Sequence, residues 1–207
     1  MSVQPKIIGI TGGIASGKST IGRMLASLGA KYIDADEICH RLILLREYKN
    51  KITEKFGNAV QDASGRIDRS KLAAIVFQDK SRLNDLCSIL HPPVIEYIRS
   101  KIEEAEKQGR RKAVVIDAAL LEESDLSLLC YFIIFVNNSK EQRMKRSQTI
   151  RRWAAGELEK RERLQLSLEE KKKRADYIID NTLTIENTFR QVKEFWKQYV
   201  EENLVKH

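Results

Sequence analysis

Apolar residues along this chain alternate between short β-branched runs and longer stretches with helical spacing. The short runs predict five strands, at residues 6–11, 31–33, 112–117, 131–136 and 177–180. Helical spacing dominates between these runs, and at residues 185–200 the apolar side chains fall on one stripe that we expect to pack against a sheet. Strands that alternate with helices predict an α/β fold with a five-stranded parallel sheet and right-handed crossovers.

The strand pattern is absent between residues 41 and 109, where residues 48–56, 70–77 and 81–105 have helical spacing instead. Pro92 and Pro93 predict an interruption of the third stretch, with a new helix that begins just after His91. This region is too long to be a simple crossover. We therefore interpret residues 36–109 as a smaller helical lobe inserted in a core made of residues 1–35, 110–138 and 175–207.

The first strand leads into a loop that fits the pattern Gly-x-x-x-x-Gly-Lys-Ser, with a predicted helix after it. A strand before the loop and a helix after it are the context in which this pattern binds phosphate, and they disfavour the alternative of a turn without a ligand. Glycines allow close backbone approach to the anion, and the helix N-terminus adds a partial positive charge. The predicted nucleotide-binding residues are Gly12, Gly13, Ile14, Ala15, Ser16, Gly17, Lys18, Ser19 and Thr20.

Within this loop, Lys18 is expected to reach the β- and γ-phosphates, and the Ser19 hydroxyl is expected to ligate Mg²⁺. Acidic residues end the second and third strands, where ligands of open α/β sheets bind. Asp117 has the form of a Walker B carboxylate that holds Mg²⁺ directly or through water. Asp34 and Asp36 provide a base for an acceptor hydroxyl and an aid to Mg²⁺, with helix capping as the alternative for Asp36.

Charge is distributed unevenly along the chain. Residues 140–174 contain 13 basic and 6 acidic residues, which is most of the net charge of +8. No nucleic-acid-binding motif accompanies this segment, so we interpret residues 139–174 as a cationic lid over a polyphosphate and expect no nucleic-acid partner. A solvated helix face is the alternative for residues 171–174. No apolar run approaches the ~20 residues that cross a bilayer, so no membrane partner is expected either.

The three cysteines, Cys39, Cys87 and Cys130, are far apart and have apolar neighbours. They are never in Cys-x-x-Cys spacing. This usage predicts buried thiols without disulfides in a reducing cytoplasm.

A core, an acceptor lobe and a basic lid predict a small-molecule kinase with a fold of the P-loop nucleoside-monophosphate-kinase type. Residues 137–140 do not supply the Asn-Lys-x-Asp motif of regulatory GTPases. A nucleoside or nucleoside-monophosphate kinase is the alternative enzyme. A P-loop regulatory or nucleic-acid-binding protein is the non-enzymatic alternative, which would bind oligonucleotides with a steep salt dependence.

Motifs along almost the whole chain resemble those of dephospho-coenzyme A kinases. They are residues 11–20, 33–36, Asp68-Arg69 with Leu72 and Val76-Phe77, His91-Pro92, Leu120-Leu121-Glu122, Arg161 with Gln165, and residues 175–181. The double aspartate and the Ala-Asp-x-x-Ile-Asp-Asn block are not general to P-loop proteins. The resemblance implies ATP-dependent phosphorylation of the ribose 3′-hydroxyl of dephospho-CoA, with Mg²⁺ as cofactor, in a monomer or weak homo-oligomer.

The resemblance also implies roles for individual residues. Asp36 is the expected general base, with Lys18, Arg146 and Arg161 as further catalytic residues, the two arginines in the lid. Asp34, Arg69, His91 and Leu120 are expected at the acceptor, and Asn181 at the adenine. The alternatives are a surface salt bridge for Arg69 and a helix-end hydrogen bond for His91.

The chain departs from the family pattern at two places. Ala119 stands where the family commonly has proline. Ile150 stands where a second lid arginine usually follows Arg146 by four residues, and the neighbouring Arg151 and Arg152 could substitute for it.

Overall fold

The computed structural model describes residues 4–109 and 111–202. The chain divides into two compact units, Met1–Asp34 with Ile98–His207, and Ala35–Tyr97. Its helices are α1 (Lys18–Ser27), α2 (Ala35–Leu42), α3 (Arg46–Phe56), α4 (Arg69–Val76), α5 (Lys80–Gln108), α6 (Lys140–Thr149), α7 (Glu157–Glu162), α8 (Leu168–Arg174) and α9 (Ile185–Phe195). None of the helices in the described ranges is long and apolar enough to cross a membrane.

The first unit contains one parallel sheet. Its strands are β1 (Lys6–Gly12), β2 (Lys31–Asp34), β3 (Ala113–Asp117), β4 (Phe132–Asn137) and β5 (Tyr177–Asp180), in the spatial order β2-β3-β1-β4-β5. The prediction of a five-stranded parallel sheet is confirmed. Because β1 lies between β3 and β4, the loop after β1 lies at the carboxyl edge beside Asp117.

The core of this unit lies between the sheet, α1 and the C-terminal helix. Ile8, Ile10 and Ile134 of the sheet are fully buried with Leu25 of α1 and Phe195 of α9. The apolar stripe predicted at residues 185–200 does pack in this core. After α9 the chain continues as a turn of π-helix over Trp196–Glu201.

The second unit has a separate apolar core between its short helices. Ile52, Val60 and Val76 are its most deeply buried side chains. Asp68 caps α4, since its carboxylate accepts hydrogen bonds from the backbone N–H groups of Ser70 and Lys71.

The predicted interruption at Pro92 and Pro93 is wrong, because α5 continues through both residues. Proline has no N–H, so neither residue can donate to the carbonyl four positions earlier, at Ser88 and Ile89. Burial of Leu90 and the apolar residues around it outweighs this loss. Ser88 and Ile89 border a cavity of about 620 Å³ in the second unit.

The prediction that the cysteines are buried is also wrong. Cys39, Cys87 and Cys130 form no disulfide within the described ranges, but each is partly exposed. For Cys39 of α2 and Cys87 of α5 the reason is that residues next to one another in a helix point to different faces, so apolar sequence neighbours do not determine burial.

Candidate active site

The loop between β1 and α1 has a tightly turned backbone. Gly12, Ala15 and Gly17 have φ values of 137°, 60° and 104°. Glycine adopts these values at little cost, whereas Ala15 carries a left-handed conformation that L-residues avoid. At Gly17 a Cβ would also overlap the side-chain amide of Asn181. The sequence prediction that this stretch forms a tight glycine-dependent turn is therefore correct.

Lys18 begins α1, and its ammonium lies across the loop. Its Nζ donates to the carbonyl oxygens of Gly12 and Gly13, both at 3.1 Å. These hydrogen bonds hold the charge beside the loop, within reach of an anion bound there.

Asp117 joins α1 to the sheet edge. Its Oδ2 accepts hydrogen bonds from the Ser19 hydroxyl at 2.6 Å and from the Tyr32 hydroxyl at 2.8 Å, and Asp117 itself is only 5 % exposed. The structure thus brings together Ser19 and Asp117, the two predicted metal ligands. Burial first, and then the negative charge of Asp117, raise the pKa of the Tyr32 hydroxyl, so it stays a donor near neutral pH.

Tyr32 was missed by the sequence analysis, although a signal existed. In strand β2, Tyr32 precedes Asp34 by two residues, and residues at this spacing share one face of a strand. Asp34 is paired with Asp117 in the β2–β3 register, so the tyrosine hydroxyl lies near both carboxylates.

The oxygen atoms at this edge of the sheet are ligands that suit Mg²⁺. Within the described ranges, no group of three His, Cys, Asp or Glu side chains could hold a metal. Mg²⁺ is normally held by one or two protein oxygens together with substrate phosphates and water. The hydroxyl of Ser19 and the carboxylate of Asp117 fit that kind of shared site.

Asn181 lies beneath the loop. Its Nδ2 donates to the Ser16 carbonyl at 2.8 Å, and its Oδ1 accepts from the Thr188 hydroxyl at 2.9 Å. Asn138 donates to the same Ser16 carbonyl at 3.3 Å. Both asparagines are buried and fix the loop backbone. Contact of Asn181 with adenine stays a prediction.

The two predicted lid arginines lie in different surroundings. Arg146 of α6 donates from Nη1 to the carbonyls of Ala15 at 3.4 Å and Ser16 at 3.3 Å. Arg161 of α7 pairs with Glu157 at 2.7 Å, and its guanidinium lies 4.1 Å from the centre of the Trp153 ring. Arg146 therefore contacts the loop, whereas the contacts described for Arg161 lie within the basic segment.

A third arginine, missed by the sequence analysis, also contacts the loop. Arg143 is one helical turn before Arg146 in α6 and forms an ion pair with Glu162 of α7. Glu162 Oε1 also accepts a hydrogen bond from the backbone N–H of Ile14 at 3.3 Å. The spacing of three residues from Arg146 was the available signal, since it places both arginines on one helix face.

The burial of Lys171 contradicts the alternative that residues 171–174 form a solvated helix face. Its side chain is 0 % exposed, and its Nζ lies 3.0 Å from Glu123 and 4.0 Å from Glu122. It also donates to the carbonyl of Ala119 at 3.0 Å. The residues at 172–174 are exposed and do fit that alternative.

This buried ion cluster extends to the strand that carries the loop. The Thr11 hydroxyl donates to Glu122 Oε2 at 2.7 Å, one residue before Gly12. Glu123 Oε1 accepts from the Leu166 N–H at 2.8 Å. Leu120, a predicted acceptor residue, lies partly buried in the turn that leads to these glutamates.

The second unit carries the remaining predicted residues. Asp36 is exposed in the first turn of α2 and is not its cap, because the helix already begins at Ala35. Arg69 Nη2 lies 2.6 Å from His40 Nε2. A guanidinium can only donate, so Nε2 accepts and the proton is on Nδ1, which lies 3.6 Å from Glu37.

His40 was missed by the sequence analysis, because nothing near it in the sequence indicates its contact with Arg69, which lies 29 residues away along the chain. Arg69 contacts this histidine, and the described contacts do not include the surface salt bridge weighed as its alternative. His91 is inside α5, so the helix-end hydrogen bond considered for it is wrong.

Comparison with known proteins connects this geometry to one family. The family model described as CoaE, dephospho-CoA kinase, matches residues 6–187. A dephospho-CoA kinase of Fusobacterium nucleatum is 38 % identical over 91 % of this chain and 96 % of its own length. One from Carboxydothermus hydrogenoformans is 40 % identical over 93 % of this chain and 96 % of its own.

Solved structures of similar proteins are consistent with the same family. TT1252 from Thermus thermophilus superposes with a TM-score of 0.76 at 32 % identity, covering 92 % of this chain and 96 % of that one. A dephospho-CoA kinase from Campylobacter jejuni gives 0.61 at 26 % identity over 96 % and 99 %. A shikimate kinase from Acinetobacter baumannii, at 17 % identity, TM-score 0.53 and 98 % and 97 % coverage, shares the fold alone. The match over residues 6–187 and the identities near 40 % show that the chain belongs to the dephospho-CoA kinase family.

Proposed function

We propose that this chain transfers the γ-phosphoryl group of ATP to the ribose 3′-hydroxyl of dephospho-CoA, giving CoA and ADP in the last step of CoA biosynthesis. The observation that carries the proposal is the match of almost the whole chain to the dephospho-CoA kinase family. The phosphate loop with Lys18, and the Ser19–Asp117 contact beside it, support a nucleotide donor.

The donor site is formed by residues 12–20. The backbone amides of this loop bind the phosphates, and Lys18 exchanges its contacts with Gly12 and Gly13 for phosphate oxygens. Ser19 and Asp117 would hold Mg²⁺, and the metal would supply positive charge against the negative charge that develops on the phosphates. Tyr32 fixes the orientation of the Asp117 carboxylate.

The helical lobe, residues 36–109, is the acceptor-binding domain of the proposed enzyme. Asp34 and Leu120, which belong to the core of residues 1–35, 110–138 and 175–207, are further proposed acceptor-binding residues. Asp36 accepts the proton of the 3′-hydroxyl as it attacks. Arg69 and His91 bind the acceptor. Residues 139–174 form the lid, from which Arg146 and Arg161 contact the phosphoryl group during its transfer. Residues 1–3, 110 and 203–207 of these proposed domains lie outside the described residues.

We further propose that the enzyme acts in the cytoplasm as a monomer or weak homo-oligomer and needs neither a nucleic acid nor a membrane. The thiols without disulfides in the described ranges support a reducing compartment.

The direct test is turnover of purified protein with Mg-ATP and dephospho-CoA, followed by chromatography of CoA and ADP. Competition with AMP, UMP and nucleosides distinguishes the alternative kinases. Turnover of a nucleoside monophosphate with none of dephospho-CoA would contradict the proposal. Absence of acceptor-dependent ATP consumption, with oligonucleotide binding that weakens steeply as salt is added, would favour the non-enzymatic alternative instead.

Replacement of Ser19 by alanine tests the proposed metal site. Loss of the hydroxyl should raise the Mg²⁺ concentration for half-maximal activity by about tenfold or more. A magnesium titration of turnover at saturating substrates measures this shift. Ser27→Ala is the matched control, because this exposed serine lies on the same helix and donates only to Met24 among its described contacts. An unchanged titration for Ser19→Ala would remove Ser19 from the metal site.

A further inference from the structure

Arg143 is packed directly on the phosphate-binding loop. A Cβ built on Gly13 would lie 2.7 Å from Arg143 Nη1 and 3.0 Å from its Cζ, so the guanidinium covers the glycine. Arg143 is only 4 % exposed. A buried charge requires a counter-ion and hydrogen bonds, because its hydration has been lost.

Its counter-ion is Glu162, and this carboxylate also occupies the loop. Glu162 Oε1 pairs with Arg143 and accepts the hydrogen bond from the Ile14 N–H at 3.3 Å. Ile14 is in the loop whose N–H groups bind phosphate oxygens in this type of site. Glu162 Oε1 thus contacts the same two groups, the Arg143 guanidinium and the Ile14 N–H, that an oxygen of a bound anion would contact.

The pairing is incomplete. Within the described ranges, Arg143 Nε is buried without a hydrogen-bond partner, and the same is true of the Ser16 hydroxyl in the loop. Buried donors are normally satisfied, and each unsatisfied one raises the free energy of the folded state. A carboxylate that reaches the loop from α7 leaves these donors unused, whereas a phosphate group has three or more acceptor oxygens.

We propose that Arg143 is a phosphate-binding arginine of this chain. In this structure the Glu162 carboxylate occupies the position that a phosphate oxygen of bound ATP would take. When ATP binds, one of its phosphate oxygens replaces the Glu162 carboxylate on the Arg143 guanidinium and on the Ile14 N–H. This inference rests on the proposed ATP site, and it concerns binding of the donor alone.

The test measures dissociation constants of ATP and of adenosine by calorimetry for the whole chain and its variants. Glu162→Gln should bind ATP several-fold more tightly, because a competing anion and its repulsion of the phosphates are removed. Arg143→Met should bind ATP about tenfold or more weakly, since charge-assisted hydrogen bonds are lost. Adenosine has no phosphate, so its affinity should be unchanged in both variants.

The double variant Arg143→Met with Glu162→Gln separates binding from folding. It should keep the weak ATP affinity of Arg143→Met while its thermal unfolding returns toward that of the wild type, because no charge is left unpaired. Lys140 and Glu159 provide the matched control, since they form an ion pair, 3.4 Å apart, between the same two helices, with Lys140 exposed and Glu159 partly exposed. Lys140→Met and Glu159→Gln should leave both affinities unchanged.

Arg143→Met or the double variant with an ATP affinity within about twofold of wild type overturns the inference, as does weaker ATP binding by Glu162→Gln. Equal losses for ATP and adenosine overturn it as well, because they indicate a general distortion of the site. Wild-type protein that binds ATP but does not phosphorylate dephospho-CoA contradicts only the proposed acceptor. Wild-type protein that binds no ATP contradicts both proposals.

Discussion

Asp36→Asn is expected to reduce phosphoryl transfer by about 10²–10⁴-fold while ATP binding stays nearly intact. An amide has the size of the carboxylate but cannot accept the proton of the attacking hydroxyl. Asp36 is exposed in the first turn of α2, so the substitution should not unfold the protein. Single-turnover rates with Mg-ATP and dephospho-CoA, together with ATP titrations, measure the two effects separately.

Two variants accompany this measurement. Glu47→Gln is the matched control, because Glu47 is an exposed carboxylate of the same unit whose described partner is Lys51. Its turnover should be unchanged. Asp34→Asn tests the other carboxylate of the pair. If Asp36→Asn retains activity within a few-fold, Asp34 or the substrate itself becomes the better proposal for the base.

Lys171→Met is expected to lower the free energy of unfolding by about 3–5 kcal/mol, because it leaves the buried Glu122 side chain and the partly buried Glu123 side chain without their cation. For a chain of this size the melting temperature should fall by on the order of 10 °C. Methionine has nearly the length of lysine, so the loss reflects charge more than volume. Thermal or denaturant unfolding measures it.

Lys172→Met is the control, since Lys172 is the next residue of α8 and is exposed. Its unfolding should be within about 0.5 kcal/mol of the wild type. Adding Glu122→Gln and Glu123→Gln to Lys171→Met should restore most of the stability, because no buried charge is then left unpaired. A single Lys171→Met variant as stable as the wild type would show that the cluster contributes nothing to stability.

Much of the fold was predictable because its signals are local. The five strands are β-branched runs between polar turns, and all five are present near their predicted positions. The loop at Gly12–Ser19 was predictable for the same reason, since its function depends on backbone conformation and on consecutive residues. The family resemblance was carried by motifs of this local kind and is confirmed.

The errors came where side chains meet partners that are distant in sequence. Lys171 belongs to a run of four basic residues for which a solvated face was the alternative considered. Glu122 and Glu123, about fifty residues away along the chain, instead pair with it in a buried position. Pro92 and Pro93 predict a helix break from local rules, but packing around Leu90 keeps α5 continuous. In both cases tertiary contacts outweigh the local preference.

The sequence by itself determined that this chain has a phosphate-binding loop, an alternating α/β core and the ordered motifs of one kinase family. These depend on residues that are consecutive or evenly spaced. Only the tertiary structure decided the strand order, the convergence of Ser19, Tyr32 and Asp117, and which arginines contact the loop. The physical reason is that hydrogen bonds and ion pairs require distances near 3 Å, which only the folded backbone can set for residues far apart in the chain.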